Sequence, residues 1–155
     1  MKIPERLKEG KYRQWEVAMV ARYPLALSEM ASPSSPLNTL GTKALARWGL
    51  EIHAGWRALV ERMLARLEIA IGDQPFDRRG GYRIVQLKEK LGRLAVYQDT
   101  EPTPEMQAAI RDAEEESLVT CEICGAPGQH AERHAWVATR CAAHETWSPQ
   151  DKERQ

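Results

Sequence analysis

Three cysteines and one histidine near the C-terminus carry the clearest chemistry in the chain. Cys121-Glu122-Ile123-Cys124 and Cys141-Ala142-Ala143-His144 read C-x2-C … C-x2-H, and the 155 residues hold no other cysteine. A tetrahedral zinc ion takes thiolate and imidazole ligands from pairs of this kind. Each pair supplies two corners from one tight turn, and the intervening loop closes the pairs on one another. Gly125, directly after the first pair, frees the backbone to aim amides at the sulfurs. Four protein ligands leave no position for water or substrate, so the expected Zn2+ centre of Cys121, Cys124, Cys141 and His144 is structural. His130 and His134 lie between the pairs and are alternative fourth ligands, although neither stands two residues from a cysteine.

Other uses of these residues fit less well. A disulfide would strand the third cysteine, and no secretory signal is recognisable at the N-terminus. A redox C-x-x-C belongs after a strand in a βαβ pattern, which is missing here. A deaminase-type zinc wants His-x-Glu with Pro-Cys-x-x-Cys, and neither is present. No nucleophile elbow, phosphate-binding loop or nucleotide fingerprint appears. Gly80-Gly81 is a lone pair after Arg78 and Arg79, and His53 reads as a capping or core histidine beside Gly55-Trp56. Lys88-Glu89-Lys90 reads as solvated strand charges. Without an acid–base pair, an enzyme is the last of the function classes to expect.

The formal net charge is zero, but it is unevenly spread. Residues 1–98 hold 17 Lys/Arg against 10 Asp/Glu, while residues 99–155 hold 5 against 12. The halves either complement each other within the fold or leave a basic surface for an anionic partner. Apolar stretches are too short to span a bilayer, which leads to the expectation of a cytoplasmic chain with no membrane partner. The size allows one domain with a small appendage.

The elements that must position the cysteines follow from periodicity. Tyr12, Trp15, Met19 and Tyr23 predict a helix over 5–23, stopped at Pro24. Ser32–Pro36 is a loop, and a short helix is expected over Thr39–Trp48, with Gly49 as a left-handed cap. The strongest helix is expected over Ala54–Ile71, with Trp56, Leu59, Val60, Met63, Leu64, Leu67 and Ile71 on one stripe. After a loop over 73–81, Tyr82–Lys88 and Leu94–Tyr97 alternate as a hairpin about Gly92, pairing Val85 with Leu87 on one face. A helix over 104–117 has Thr103 as N-cap and Pro104 at its first position. Glu114–Glu116 in its last turn oppose the macrodipole unless basic groups meet them, for instance from the hairpin. Trp136–Thr139 is the return strand of a ribbon.

The expected fold is therefore α+β. A mainly helical N-terminal part and a two-stranded hairpin form a core over 1–117. A zinc-ribbon-like module follows over 118–147, and 148–155 form a flexible tail. Residues 1–36 are expected to be a partner-specific extension.

Several of these residues also carry a resemblance. Gly55-Trp56 before a helix, Gln86-Leu87-Lys88-Glu89-Lys90-Leu91-Gly92 leading to Tyr97, Ala113-Glu114 with Ser117, Cys121–Gly128, and Trp136 through His144 follow in order. This order resembles a family of small proteins of unknown function found in bacteria and their phages. The resemblance spans about residues 49–144. Members of that family usually read Phe-Gly-Gly-Leu-Arg-Phe-Tyr through the hairpin. This chain has Leu91-Gly92-Arg93-Leu94-Ala95-Val96-Tyr97, with one glycine and two aromatics missing. The resemblance implies an accessory protein linked to mobile elements and brings no established activity with it.

The leading expectation is a non-catalytic, zinc-stabilised protein that binds a protein partner, as a toxin-immunity protein or a phage-encoded inhibitor does. No small-molecule substrate is evident. Candidate contacts are Arg78, Arg79, Arg83, Lys88, Lys90, Arg93 and Trp147, with Trp15 and Trp48 as further aromatic anchors. The alternative is nucleic-acid binding through the same basic residues, for which the ribbon supplies few cations and the hairpin few stacking aromatics.

Overall fold

The apolar stripe of the longest periodic segment becomes helix α4, Arg57–Gly72, entered through a 3-10 turn at Ala54–Trp56. The computed structural model describes Leu7 and residues 10–146. Helix α4 buries Leu59, Val60, Met63, Leu64, Leu67 and Ile71, and the turn before it buries Trp56. Helix α5, Pro104–Ser117, packs against it through Met106, Ala109, Ile110 and Ala113. The Thr103 hydroxyl accepts the Met106 amide at 3.4 Å, so the N-cap falls where the Thr-Pro pair places it. Arg62 pairs with Glu116, and Arg66 with Asp112 at 2.6 Å, along the exposed rim of this helix pair.

Strands β1, Ile84–Lys90, and β2, Arg93–Gln98, form an antiparallel hairpin. Leu91 and Gly92 both have positive φ, 52° and 75°, which makes the connection a two-residue turn matched to strand twist. The buried β1 residues are Ile84 and Leu87, not the expected Val85 and Leu87. The register shifts between Ile84 and Gln86, and this bulge inserts a residue that turns Val85 out of the alternation. Both edges of the hairpin are occupied. On the β2 side, the Leu94 amide donates to Ser117 Oγ at 2.9 Å and the Val96 amide to Glu114 Oε1 at 3.4 Å. On the β1 side, Glu51 exchanges backbone hydrogen bonds with Leu87 and Glu89, each 3.0 Å long. Glu114 also pairs with Arg93 at 3.2 Å, so the acidic end of α5 meets a hairpin cation.

The N-terminal part differs from its expected outline. Helix α1 covers only Gln14–Arg22. Tyr12 lies before the helix, where its hydroxyl donates to the Ala46 carbonyl. Of the first nine residues, all but Leu7 lie outside the described residues. Glu16 explains the late start, because its buried carboxylate accepts the Arg13 amide at 2.8 Å and the Leu50 amide at 2.7 Å. A one-turn helix α2, Ser28–Ala31, precedes the proline loop, and α3 is shortened to Ala44–Trp48. Gly49 has φ 71° but ψ −147°, an extended conformation open to glycine rather than a left-handed helical cap. Met19, Val20, Ala26, Leu27 and Met30 are core residues, so residues 19–30 pack as part of the body. No helix among the described residues is long and apolar enough to cross a membrane. The fold is α+β: five helices and two antiparallel hairpins among the described residues, with the Cys/His cluster at the C-terminal end.

Leu64→Ala is expected to lower unfolding free energy by about 2–5 kcal/mol, since Leu64 is fully buried in α4. Arg66→Ala removes an exposed pair and is expected to cost less than about 1 kcal/mol. Urea unfolding of both variants checks the contrast.

Candidate metal centre

The first ligand pair sits in a backbone knuckle. The Cys121 amide donates to the Ala126 carbonyl at 2.8 Å, and the Gly125 amide returns to the Cys121 carbonyl at 2.9 Å. Gly125 takes φ 79° to close the turn, as its place after Cys124 requires. The second pair leaves the end of a hairpin made of β3, Gln129–Arg133, and β4, Trp136–Arg140. Cys141 follows β4 directly, and His144 comes from the 3-10 turn Ala142–His144, closed by its amide on the Cys141 carbonyl at 3.0 Å.

Together these turns bring the ligand atoms of Cys121, Cys124, Cys141 and His144 within 4.8 Å of one another, a group that could hold a metal ion. His144 Nδ1 lies 3.2 Å from Cys141 Sγ and 3.7 Å from Cys121 Sγ, and the sulfurs of Cys124 and Cys141 are 3.7 Å apart. The last distance is far beyond a disulfide bond of about 2.05 Å. Burial alone would push the Cys121 thiol up. The amides of Cys141, Cys124 and Ile123 outweigh it and bring the thiol down to about 7. At Cys124 the Ala126 amide acts downward, but desolvation and the neighbouring thiols of Cys141 and Cys121 raise the thiol above its usual range. A bound cation would favour the thiolate at every position.

Neither alternative histidine joins the cluster. His130 lies on β3 with Nε2 2.8 Å from the Leu91 carbonyl, and His134 stands at the β3–β4 turn with φ 51°. The chain matches no protein-family model, no curated protein and no solved structure. The site is therefore read from its own geometry.

Sequence reasoning missed a buried ion pair inside this module and the contacts that join the module to the body. Glu122 and Arg140 form a buried pair, with Arg140 Nη2 and Nε at 2.8 and 3.0 Å from Glu122 Oε1. Arg140 Nη1 also donates to the His144 carbonyl at 3.4 Å. Their charges look like solvated ribbon charges in sequence. The usable signal is that each directly flanks a ligand cysteine, so closing the cluster brings them together. The Gly55 amide donates to the Glu122 carbonyl at 3.0 Å, and Trp56 Nε1 to the Thr120 carbonyl at 2.9 Å. A Cβ on Gly55 would lie 2.5 Å from the Glu122 carbonyl carbon and closer still to the Cys121 oxygen. At the hairpin tip, Thr139 Oγ1 donates to the Gly92 carbonyl at 2.6 Å, and a Cβ on Gly92 would lie 2.8 Å from Ala138 Cα. His53, expected to cap or to join the core, stands half-buried at the start of the 3-10 turn without a capping side-chain hydrogen bond.

The six basic candidates do not form one row. Arg83 lies 3.5 Å from the buried Glu29 and 3.8 Å from Asp99, and Arg93 is tied to Glu114. Arg78 and Arg79 lie on the exposed loop before β1, with Arg79 Nε on the Gln74 carbonyl at 3.0 Å and its guanidinium 5.9 Å from the Phe76 ring. Lys88 and Lys90 gather at Tyr97, with Lys88 5.7 Å from its ring and Lys90 3.4 Å from its hydroxyl. Trp147 lies outside the described residues.

Cys121→Ser and Cys141→Ser are each expected to reduce bound metal sharply, read by elemental analysis of purified protein, and metal is expected to leave as pH falls because protons compete for the ligands. Gly55→Ala is expected to cost about 1–3 kcal/mol by overpacking against the knuckle backbone. Gly80→Ala, where a Cβ meets nothing within 4 Å, serves as the nearly neutral control in the same thermal unfolding series.

Proposed function

We propose that the cluster holds zinc as a structural ion and that the chain is a non-catalytic accessory protein acting by binding a protein partner. Zinc bound by thiolates at about 2.3 Å and imidazole at about 2.0–2.1 Å sets tetrahedral edges near 3.8 Å between sulfurs and near 3.6 Å between sulfur and nitrogen. The edges of 3.7, 3.7 and 3.2 Å fall close to this set. Three thiolates favour a soft or borderline cation over calcium or magnesium. With all four corners protein-supplied, the ion's work is to hold the ribbon, and it offers no site for a substrate.

The observation that carries the partner class is the internal pairing of the basic residues. Arg83 and Arg93 spend their charge on Glu29, Asp99 and Glu114, which breaks the continuous basic track that a phosphate backbone needs. What remains outward is mixed: two separate groups of cations, Arg78 with Arg79 and Lys88 with Lys90, and exposed apolar residues such as Trp48 and Leu91. Mixed surfaces with aromatic anchors suit protein interfaces. The resemblance to small bacterial and phage proteins supports an immunity or inhibitor role in the cytoplasm, where thiolates stay reduced and available to zinc.

Zinc is expected at one ion per chain by native mass spectrometry, and a different metal or none would refute the assignment. The partner captured by the tagged protein from its source cell is expected to stay bound after nuclease treatment and at raised salt. Loss of capture under both conditions would transfer the function to nucleic acid.

A further inference from the structure

The three cysteines of the cluster are unequally protected. Cys121 is fully buried, Cys141 is half-buried and Cys124 is exposed. Cys124 lines an open cleft of about 550 Å3 between the start of α4 and the knuckle. Two further residues of that cleft, Gly55 and Gly125, present backbone only. Gly55 is held to glycine by the Cys121 and Glu122 backbone, and Gly125 by its φ of 79°. The constraints that seat the knuckle therefore leave its second cysteine within reach of a small molecule.

Hydrogen bonding separates the sulfurs in the same direction. Cys121 receives the amides of Cys141, Cys124 and Ile123, while Cys124 receives that of Ala126. Amides on a thiolate draw off electron density and lower its nucleophilicity. A second thiol already stands beside the exposed one. Cys141 Sγ lies 3.7 Å from Cys124 Sγ, so a bond of about 2.05 Å needs a closure of about 1.7 Å. A Cys121–Cys124 bond would instead have to form inside the turn that the Cys121 and Gly125 amides hold closed. An accessible thiolate next to a resolving thiol is the arrangement of redox-sensing cysteines.

We infer that Cys124 is a site of oxidation by hydroperoxides, with Cys141 as its resolving thiol, and that this reaction unlocks the ribbon. The inference rests on the zinc centre proposed above. The Cys124 thiolate attacks one oxygen of hydrogen peroxide, the O–O bond breaks, and hydroxide leaves, which makes Cys124 a sulfenic acid. The Cys141 thiolate then attacks that sulfur and expels a second hydroxide, which leaves a Cys124–Cys141 disulfide. Two electrons pass from the sulfurs to the peroxide, and two protons from solvent turn both hydroxides into water. Cys121 and His144 remain as ligands, half of the set that a closed zinc site uses. The knuckle then loses the restraint that keeps it against Gly55 and Trp56.

The test treats the full-length zinc-loaded protein with hydrogen peroxide, with dimedone added to a parallel sample to trap sulfenic acid. Released metal is read with a chromogenic chelator. Trypsin leaves Cys121 and Cys124 on one peptide, 112–133, and Cys141 on another, 141–152. Dimedone is expected on Cys124 first. The two peptides are expected to join through Cys124 and Cys141 as metal is released, and dithiothreitol with added zinc should reverse the change. Cys124→His keeps four ligands and is expected to release metal about tenfold more slowly. Dimedone first on Cys121 or Cys141, a disulfide within 112–133, or release as fast from Cys124→His would overturn the inference. Where that variant does not fold, the peptide map of the unaltered chain decides. Metal present at the start and kept through peroxide treatment would overturn this inference alone. Metal absent from the untreated protein would overturn the zinc centre and this inference together.

Discussion

Where the 3-10 turn at Ala54–Trp56 meets the Cys121–Cys124 knuckle, there is room for a hydrogen atom and no more. The Gly55 α-carbon lies against the backbone of Cys121 and Glu122, and its amide is bonded to the Glu122 carbonyl. This contact joins the longest helix of the core to the first ligand pair. The Trp56 indole on the Thr120 carbonyl, one residue further along, completes the joint. On the far side, Gly92 at the tip of the β1–β2 hairpin lies against the backbone of Ala138 on β4, somewhat less tightly. The ribbon is thus held at two glycine contacts, one on each ligand pair's supporting turn or strand. Any slackening of the cluster is felt at α4 and at the hairpin, because both contacts are backbone against backbone and cannot be repacked by side chains.

Electrostatics closes the fold in a second way. Among the described residues, the chain's basic first part and acidic last part meet in four pairs: Arg62 with Glu116, Arg66 with Asp112, Arg83 with Asp99 and Arg93 with Glu114. These exposed or half-exposed pairs contribute little stability individually. Their larger effect is to order the surface, since they engage arginines of α4 and of the β1–β2 hairpin region with acidic groups of the later part of the chain. The buried Glu122–Arg140 pair differs in kind. Removing one partner would strand a charge in the interior of the ribbon, so it fixes the relation of the two ligand pairs.

Chemistry and periodicity made the long helix, the Thr103 cap and the Cys/His cluster legible in sequence, because each rests on local spacing. The spacing of Cys141 and His144 places both on one turn whatever the rest of the chain does. The misses have tertiary causes. Helix α1 begins late because Glu16 and Arg13 are drawn to the backbone of Leu50 and Ile52, more than thirty residues away in sequence. The β1 bulge puts Ile84 inside in place of Val85, an insertion that alternation alone does not announce. Gly92 was legible as a turn glycine and Trp56 as a core residue, but the contacts of Gly55, Trp56 and Gly92 with the ribbon were not, because each is made across the fold. The basic residues were legible as a count but not as a surface, since pairing with Glu29, Asp99 and Glu114 is a property of the folded chain.

A metal ion at Cys121, Cys124, Cys141 and His144, as proposed above, would hold the ribbon and, through it, the Gly55 turn and the hairpin tip. Hydrogen–deuterium exchange of the purified protein before and after chelation tests this most directly. Metal removal should speed exchange at Gly55, Cys121, Glu122, Gly125 and His144, whose amides bond within the two Cys/His turns or between them and their neighbours, while the amides of α4 beyond its first turn stay protected. Unchanged exchange at Gly55 and Glu122 after complete metal loss would contradict the claim.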